Sequence, residues 1–159
     1  MKCTIIQPFI FPFWIDLDVP GNMVGAFTGK HLKNVFSPDP VQLQMVVSGI
    51  INNAAEAIDD TGDIEFDLKS VDVDEIQSEQ KPGMQPGKYV RLRVRDTGKG
   101  MDAETLQHIF EPFYTKKFPG RGLGMAAVHG IVKNHGGWIG VDSEPGRGTT
   151  VQIYFPHRI

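Results

Sequence analysis

The stretch "SGIINNAAEAI", Ser48 to Ile58, decides the fold. Just upstream, "SPDP" (Ser37 to Pro40) starts a helix: Asp39 can accept a bond from a first-turn N–H, and Pro40 suits the first helical position. Apolar residues then recur at Leu43, Val46, Val47, Ile50, Ala54, Ala57 and Ile58, the 3.6-residue period of an amphipathic helix. "DDTGD" (Asp59 to Asp63) ends it. Beside the apolar stripe runs a second one, with Gly49, Asn52, Asn53 and Glu56 at i, i+3, i+4 and i+7. Such a helix packs a sheet with one stripe. It turns the other to solvent, to a neighbouring loop or to a ligand. An Asn carbonyl oxygen is a fair ligand for Mg²⁺, which prefers oxygen and keeps several waters while bridging phosphates.

Working outward, the chain alternates between β patterns and short helices. Residues 1–36 are aromatic and β-branched with scattered Pro and Gly, and predict one or two strands with a turn at Val19 to Asn22. "IEFDLKSV" (Ile64 to Val71) and "KYVRLRVRD" (Lys88 to Asp96) alternate and predict an antiparallel pair. The polar, Pro/Gly-rich segment between them (Val73 to Gly87) predicts a surface loop. A short helix capped by Asp102 is expected over Ala103 to Ile109, a mobile loop over Glu111 to Gly122, and a helix over Leu123 to His135 ended by Gly136 and Gly137. A hairpin, Trp138 to Phe155 with its turn at Glu144 to Gly148, closes the chain. This order predicts an α+β fold: a two-layer α/β sandwich, its sheet mixed but mostly antiparallel, with about three helices on one face.

The bulk numbers agree with one domain. The chain has 159 residues, 40% hydrophobic and 22% charged, enough to bury a core. A net charge of −3 provides no basic footprint for nucleic acid and no polybasic membrane patch. The lone Cys3 excludes a disulfide framework within the chain. The run "FIFPFWI" (Phe9 to Ile15) is too short to span a bilayer, and the start lacks a signal-peptide pattern. A cytoplasmic setting is therefore expected, with no direct membrane contact. The five histidines (His31, His108, His129, His135, His157) show no metal spacing.

Three glycine clusters occupy the second half. "DTGKGMD" (Asp96 to Asp102) follows a strand end; its glycines let backbone approach a flat ligand, and Asp96 can accept from an exocyclic amine. A β-turn whose Asp bonds its own backbone explains the same residues. "GRGLGM" (Gly120 to Met125) opens a helix, where free N–H groups and the helix dipole favour an anion, with Lys116, Lys117 and Arg121 just upstream. It is neither a Walker P-loop nor a Rossmann fingerprint. A flexible loop with solvated lysines is the plain alternative. "SEPGRGTTV" (Ser143 to Val151) reads alone as a hairpin turn.

Together, the segments resemble the nucleotide-binding domain shared by sensor histidine kinases, DNA gyrase, Hsp90 and MutL, the Bergerat fold. "IINNAAEAI" looks like its N box, "DTGKGM" its first glycine box, and "IFEPFYTKK" (Ile109 to Lys117) its F box. "GRGLGMAAVHGIVKNHGG" looks like the second glycine box with its helix, and "SEPGRGTTV" the last. The F box followed by GRGLGM resembles kinases of the nitrogen-regulator or hybrid type. The resemblance implies an ATP-binding catalytic core over residues 37–159, with residues 1–36 as N-terminal strands of the same domain.

By that resemblance Asn53 would bind Mg²⁺ and Asp96 the adenine amino group. Gly98, Gly100 and Met101 would shape the base pocket, with Thr149 near the same base. Lys117, with Lys116 as a second candidate, would reach the phosphates. Gly122, Leu123 and Gly124 would present backbone N–H groups to them, and Phe110, Phe113 and Tyr114 would pack the lid root. Ala57, Gly120, Arg121 and Met125 complete the implied nucleotide-binding set. Asn53 and Lys117 are the implied catalytic pair. The γ-phosphoryl would pass to a histidine on a separate dimerisation domain, and onward to a response-regulator receiver domain. None of this chain's histidines has a phosphoacceptor context, so an excised catalytic domain is expected, of a kind also found in membrane-anchored sensors.

Two positions depart from the family pattern. Gly49 stands where relatives carry a polar residue four before the metal Asn, and Lys116 where a second Thr is commoner. No carboxylate at 49 can act as a base on water, which argues against a gyrase-, Hsp90- or MutL-like hydrolase. Gly inside a helix costs about 1 kcal/mol relative to Ala, so something should compensate. A degenerate nucleotide-binding or docking module is the alternative reading. An anti-sigma serine kinase shares the fold but is disfavoured by the F box and GRGLGM.

Overall fold

The structure, a computed structural model, describes residues 2–5, 40–112, 114 and 124–157. The expected turn at Val19 to Asn22, the Asp39 cap and most of the loop from Glu111 to Gly122 lie outside the described residues.

The described strands are β1 (Lys2–Ile5), β2 (Asp63–Val73), β3 (Gly87–Asp96), β4 (Trp138–Glu144) and β5 (Gly148–Pro156). They form one sheet in the order β1-β2-β3-β5-β4. β1 pairs parallel with β2, and every other pairing is antiparallel. The helices are α1 (Pro40–Ala57), α2 (Glu75–Glu79), α3 (Ala103–His108) and α4 (Gly124–Asn134). The sheet is mixed and mostly antiparallel, as the alternating patterns require.

The period-2 pattern sets which face meets the helices. Phe66, Leu92, Val94, Val151, Ile153 and Phe155 are buried with Ile139 against Leu43, Val46, Val47, Ile50 and Ala54 of α1 and Met125, Val128 and Val132 of α4. Each such aliphatic or aromatic side chain, fully buried, contributes about 1.5–3 kcal/mol relative to exposure. The core is therefore the apolar stripe of α1 and one face of α4 laid on the sheet. Pro40 opens α1 at the position where its missing N–H costs nothing. At its other end the Lys99 N–H donates to the Ala57 carbonyl at 2.9 Å, so a distant loop caps the helix. α4 ends with Gly136 at φ 66° and the Gly137 N–H on the Val132 carbonyl.

One expectation is corrected. The segment from Val73 to Gly87 is not simply a surface loop. β2 runs to Val73, and α2 follows, its N-cap Asp74 accepting from the Gln77 N–H at 2.7 Å. Met84 then folds over Val73, Tyr89 and Tyr154, with Trp138 against them. By strand alternation this small cluster lies on the sheet face opposite α1 and α4. A single helical turn is too short to show a period, and the Pro and Gly around it hide the cap.

Candidate active site

A cavity of about 310 Å³ opens between α1, the end of β3, α3, the start of α4 and β5. Asn53 and Ala57 reach it from α1, Asp96 from the end of β3, Gly100 and Met101 from the following loop, Met125 from α4 and Thr149 from β5. Residues 53 positions apart are thus brought onto one wall by the pairing of Asp96 with Thr149 in the sheet.

Asp96 is the buried polar group of this wall, 4% exposed. Its Oδ1 accepts from the Gly98 N–H at 2.8 Å and the Thr149 N–H at 3.3 Å. The first bond is the local turn that a strand-end Asp makes with its own backbone. The second ties that turn to β5. The plain reading and the ligand reading of Asp96 therefore coexist: backbone donors hold the carboxylate in place while it lines the cavity.

The glycines act by close approach. At Gly98 a Cβ would stand 2.5 Å from the Ala57 carbonyl oxygen, so this residue lets the loop lie against the end of α1 behind the cavity wall. At Gly100, with φ 66°, a Cβ would overlap the Glu144 carbonyl. The loop after β3 is thereby stitched to the β4–β5 hairpin, and the Gly146 N–H donates to the Lys99 carbonyl at 2.7 Å. The hairpin glycines that looked like a plain turn in sequence form the outer support of the cavity floor.

Asn53 is half-buried and stands at the first residue of α4: its Nδ2 lies 3.9 Å from the place a Cβ on Gly124 would take. A helix N-terminus presents unpaired N–H groups and the positive end of the dipole. Amide and helix start therefore share one end of the cavity, a place for anionic ligand groups. Asn52 and Glu56 are exposed, so the polar stripe divides. Gly49 is half-buried and does not line the cavity; a Cβ there would point at α4, meeting Val128 Cγ2 at 2.9 Å and the Gly124 carbonyl oxygen at 3.8 Å. The compensation for glycine in mid-helix is the close crossing of α1 and α4.

Asn53 supplies one amide oxygen, and no cluster of three or more His, Cys, Asp or Glu able to hold a metal occurs among the described residues. That donor set fits a cation that keeps its waters and takes further oxygens from phosphates, as Mg²⁺ does. It does not fit a metal held entirely by protein.

Lys116, Lys117, Gly120, Arg121, Gly122, Leu123 and Phe113 lie outside the described residues. Tyr114 lines the cavity, its ring 5.1 Å from that of His108, and its hydroxyl is buried without a hydrogen-bond partner among the described residues. Phe110 stacks on His129 of α4, ring centres 4.8 Å apart. Burial, with the Lys133 charge as the second cause, holds the His129 pKa below its ordinary value. Sequence reasoning missed Lys99 and Thr105 as cavity residues, and Ser143 beneath the wall. Alternation along β4 could have found Ser143, because it shares a face with Ile139 and Val141.

Comparison with known proteins agrees with this geometry. Residues 38–159 match the family model described as histidine kinase-, DNA gyrase B-, and HSP90-like ATPase. The chain is 37% identical over 120 residues to the sensor kinase CckA of Brucella abortus (strain 2308), covering 74% of this chain and 13% of that protein. It is 37% identical over 133 residues to the sensor histidine kinase ZraS of Escherichia coli (strain K12), covering 84% of this chain and 25% of that one. Among solved structures, full-length ShkA in complex with AMPPNP superposes with a TM-score of 0.59 at 27% identity, over 75% of this chain and 22% of that one. The chain thus spans a quarter or less of the length of these relatives. A buried carboxylate and a helix-borne amide lining one cavity, on a mixed sheet under two helices, and a family match over 38–159 lead to one assignment: the chain belongs to the histidine kinase-, DNA gyrase B- and HSP90-like ATPases, an ATP-binding family, and its relatives in it are sensor histidine kinases.

Proposed function

We propose that this chain is the catalytic ATP–Mg²⁺ domain of a two-component sensor histidine kinase of the nitrogen-regulator or hybrid type, with residues 37–159 as its core and residues 1–36 as strands of the same domain. The observation that carries the reading is the placement of Asp96 and Asn53 on one cavity, the carboxylate buried at its wall and the amide beside the start of α4. The pairing of β1 with β2 supports a single domain. The complex of ShkA with AMPPNP supports a nucleotide ligand.

In this reading Asp96 accepts the amino group of adenine, and Ala57, Gly100, Met101 and Thr149 surround the base, with Gly98 holding the Asp96 turn. Asn53 holds the metal, which when bound neutralises phosphate charge. Gly120, Gly122, Leu123, Gly124 and Met125 border the phosphates, and Lys116, Lys117 and Arg121 bring cations to them. The bond between the γ-phosphorus and the β–γ bridging oxygen breaks, and a bond from that phosphorus to an imidazole nitrogen of the acceptor histidine forms. Phosphoryl transfer asks little more of a protein than positioning and charge neutralisation. Val128 fills the space beside Gly49, so α1 carries no base there to activate water. The acceptor histidine belongs to a separate dimerisation domain, and a response-regulator receiver takes the phosphoryl next. None of the helices among the described residues is long and apolar enough to cross a membrane, and a cytoplasmic location fits this role.

The test mixes the chain with a histidine-bearing dimerisation domain, γ-labelled ATP and Mg²⁺. Label on the histidine is expected. Nucleotide binding with no transfer would defeat the kinase reading and leave a docking module. Asn53→Ala should remove the Mg²⁺-dependent part of ATP affinity, and unchanged affinity would take Asn53 out of the metal role.

A further inference from the structure

The sheet face turned away from α1 and α4 carries a pattern of its own. Leu92 and Val94 of β3 enter the core, so alternation puts Arg91, Arg93 and Arg95 in one row on the far face. Met84 packs over the Tyr89 and Tyr154 end of that face. Across the β2–β3 pairing, Asp67 stands opposite Arg93 and Glu65 opposite Arg95. Asp67, however, is taken by Arg91, with the Lys69 ammonium 3.7 Å away. Neither Arg93 nor Arg95 has an ion pair among the described residues. Arg93 is half-buried and Arg95 exposed. A guanidinium does not lose its proton in a protein, so both stand as fixed positive charges.

On the other side of the row the face is neutral: Gln152 of β5 stands opposite Arg93 and Thr150 opposite Arg95. On β4 the Trp138 indole lies over Gly140, where a Cβ would stand 2.1 Å from Trp138 Cη2. A carboxylate returns at the exposed Asp142. The face is thus a lane with a positive and neutral floor, an indole beside it, and acidic edges on β2 and β4. Those two strands are three strand spacings apart, about 14 Å. One polypeptide segment fits that width. A nucleic-acid duplex or a bilayer is broader and would meet both acidic edges. Alternate residues of a strand are about 7 Å apart, so the arginine row matches an extended segment with a carboxylate at every second position. We propose that this open sheet face is a docking surface for an acidic polypeptide segment, with Arg93 and Arg95 as its charged contacts and Trp138 as its apolar one. Arg and Trp are among the residue types that dominate binding energy at protein interfaces. Lane and cavity lie on opposite faces of the sheet, so a segment docked here leaves the cavity open.

The probe is a short fluorescein-labelled peptide with Glu at every second position and Thr between, followed by anisotropy on the whole chain. It should bind at low salt and weaken as salt is added, and the same peptide with Gln for Glu should not bind. Arg93→Gln with Arg95→Gln should weaken binding about five- to tenfold. Arg93→Lys with Arg95→Lys, which keeps both charges, should retain most of it. Lys133→Gln removes an exposed cation from α4, on the other face, and should change nothing. Urea unfolding of each variant checks the fold. The inference is overturned if the Glu peptide fails to bind the unaltered chain. Equal binding by the Gln double variant, or equal loss in the Lys double variant or in Lys133→Gln, would also overturn it. So would tighter binding of duplex DNA or phosphatidylserine vesicles through the same two arginines, since the partner would then be of another class.

Discussion

Replacing Gly49 with alanine pits two effects of known size against each other. In an isolated helix the change would stabilise by about 1 kcal/mol, since glycine loses the most backbone entropy. Here the new Cβ would stand 2.9 Å from Val128 Cγ2. Ordinary carbon contacts are about 3.5–4.0 Å, so α4 must retreat by roughly half an ångström to one. Val128 cannot simply swing aside: it is 1% exposed and β-branched, and its χ1 is stiff in a helix. Overpacking of this kind costs about 1–3 kcal/mol. The expected balance is a net destabilisation of about 0–2 kcal/mol, opposite in sign to helix propensity. α4 also carries Met125 to the cavity, so ATP affinity should fall with it. Urea unfolding of Gly49→Ala, Val128→Ala and the double variant measures this directly. The double variant should be more stable than the sum of the singles by about 1 kcal/mol, because truncating Val128 makes room for the methyl. A Gly49→Ala chain about 1 kcal/mol more stable than the original, with additive behaviour toward Val128, would refute the packing explanation.

Asp96→Asn keeps the shape and one acceptor for the Gly98 and Thr149 N–H groups, so ATP affinity should drop by roughly tenfold or more while thermal stability changes little; equal loss of both in binding and thermal-shift assays would make Asp96 structural. Gly148→Ala should destabilise by more than about 1 kcal/mol in denaturant, because Gly148 sits at φ 84° and a Cβ would overlap the Asp96 carbonyl; a neutral result would contradict the hairpin contact. His129 has a folded pKa held below its unfolded value, so the stability it contributes is complete above the unfolded pKa and is lost as pH falls through the folded one. Unfolding measured from pH 7.5 downward should therefore show a decline beginning near about pH 6.5 that is shallower in His129→Gln, and an identical slope in that variant would remove His129 from the pH dependence.

Much of this site was legible because its signals are local. Asn53 sits on the helical period of α1, Asp96 at the end of an alternating strand, and the first and last glycine clusters at turns. The N-cap Asp102 accepts from the Thr105 N–H at 2.8 Å, as the sequence order predicts. Motif order then carried the family, which the match over residues 38–159 bears out. Less legible were the residues whose partners are far along the chain. Met101 and Ser143 are 42 positions apart, and Asp96 and Thr149 are 53 apart. Nothing in the neighbourhood of either residue announces its partner.

Composition and periodicity by themselves determined an α+β chain with an amphipathic helix, paired alternating strands and glycine-rich turns, because backbone preference and side-chain spacing act within a few residues. They also placed Asn53 and Asp96 among the residues that could meet a ligand. The tertiary structure alone decided that Gly49 is a crossing point under Val128, that α2 and Met84 cover the far face of the sheet, and that the last hairpin supports the loop after β3. Those outcomes depend on which strands pair, in what register, and how closely two helices pack on them. Such contacts join segments whose local sequences carry no trace of one another, so they exist only once the sheet has closed.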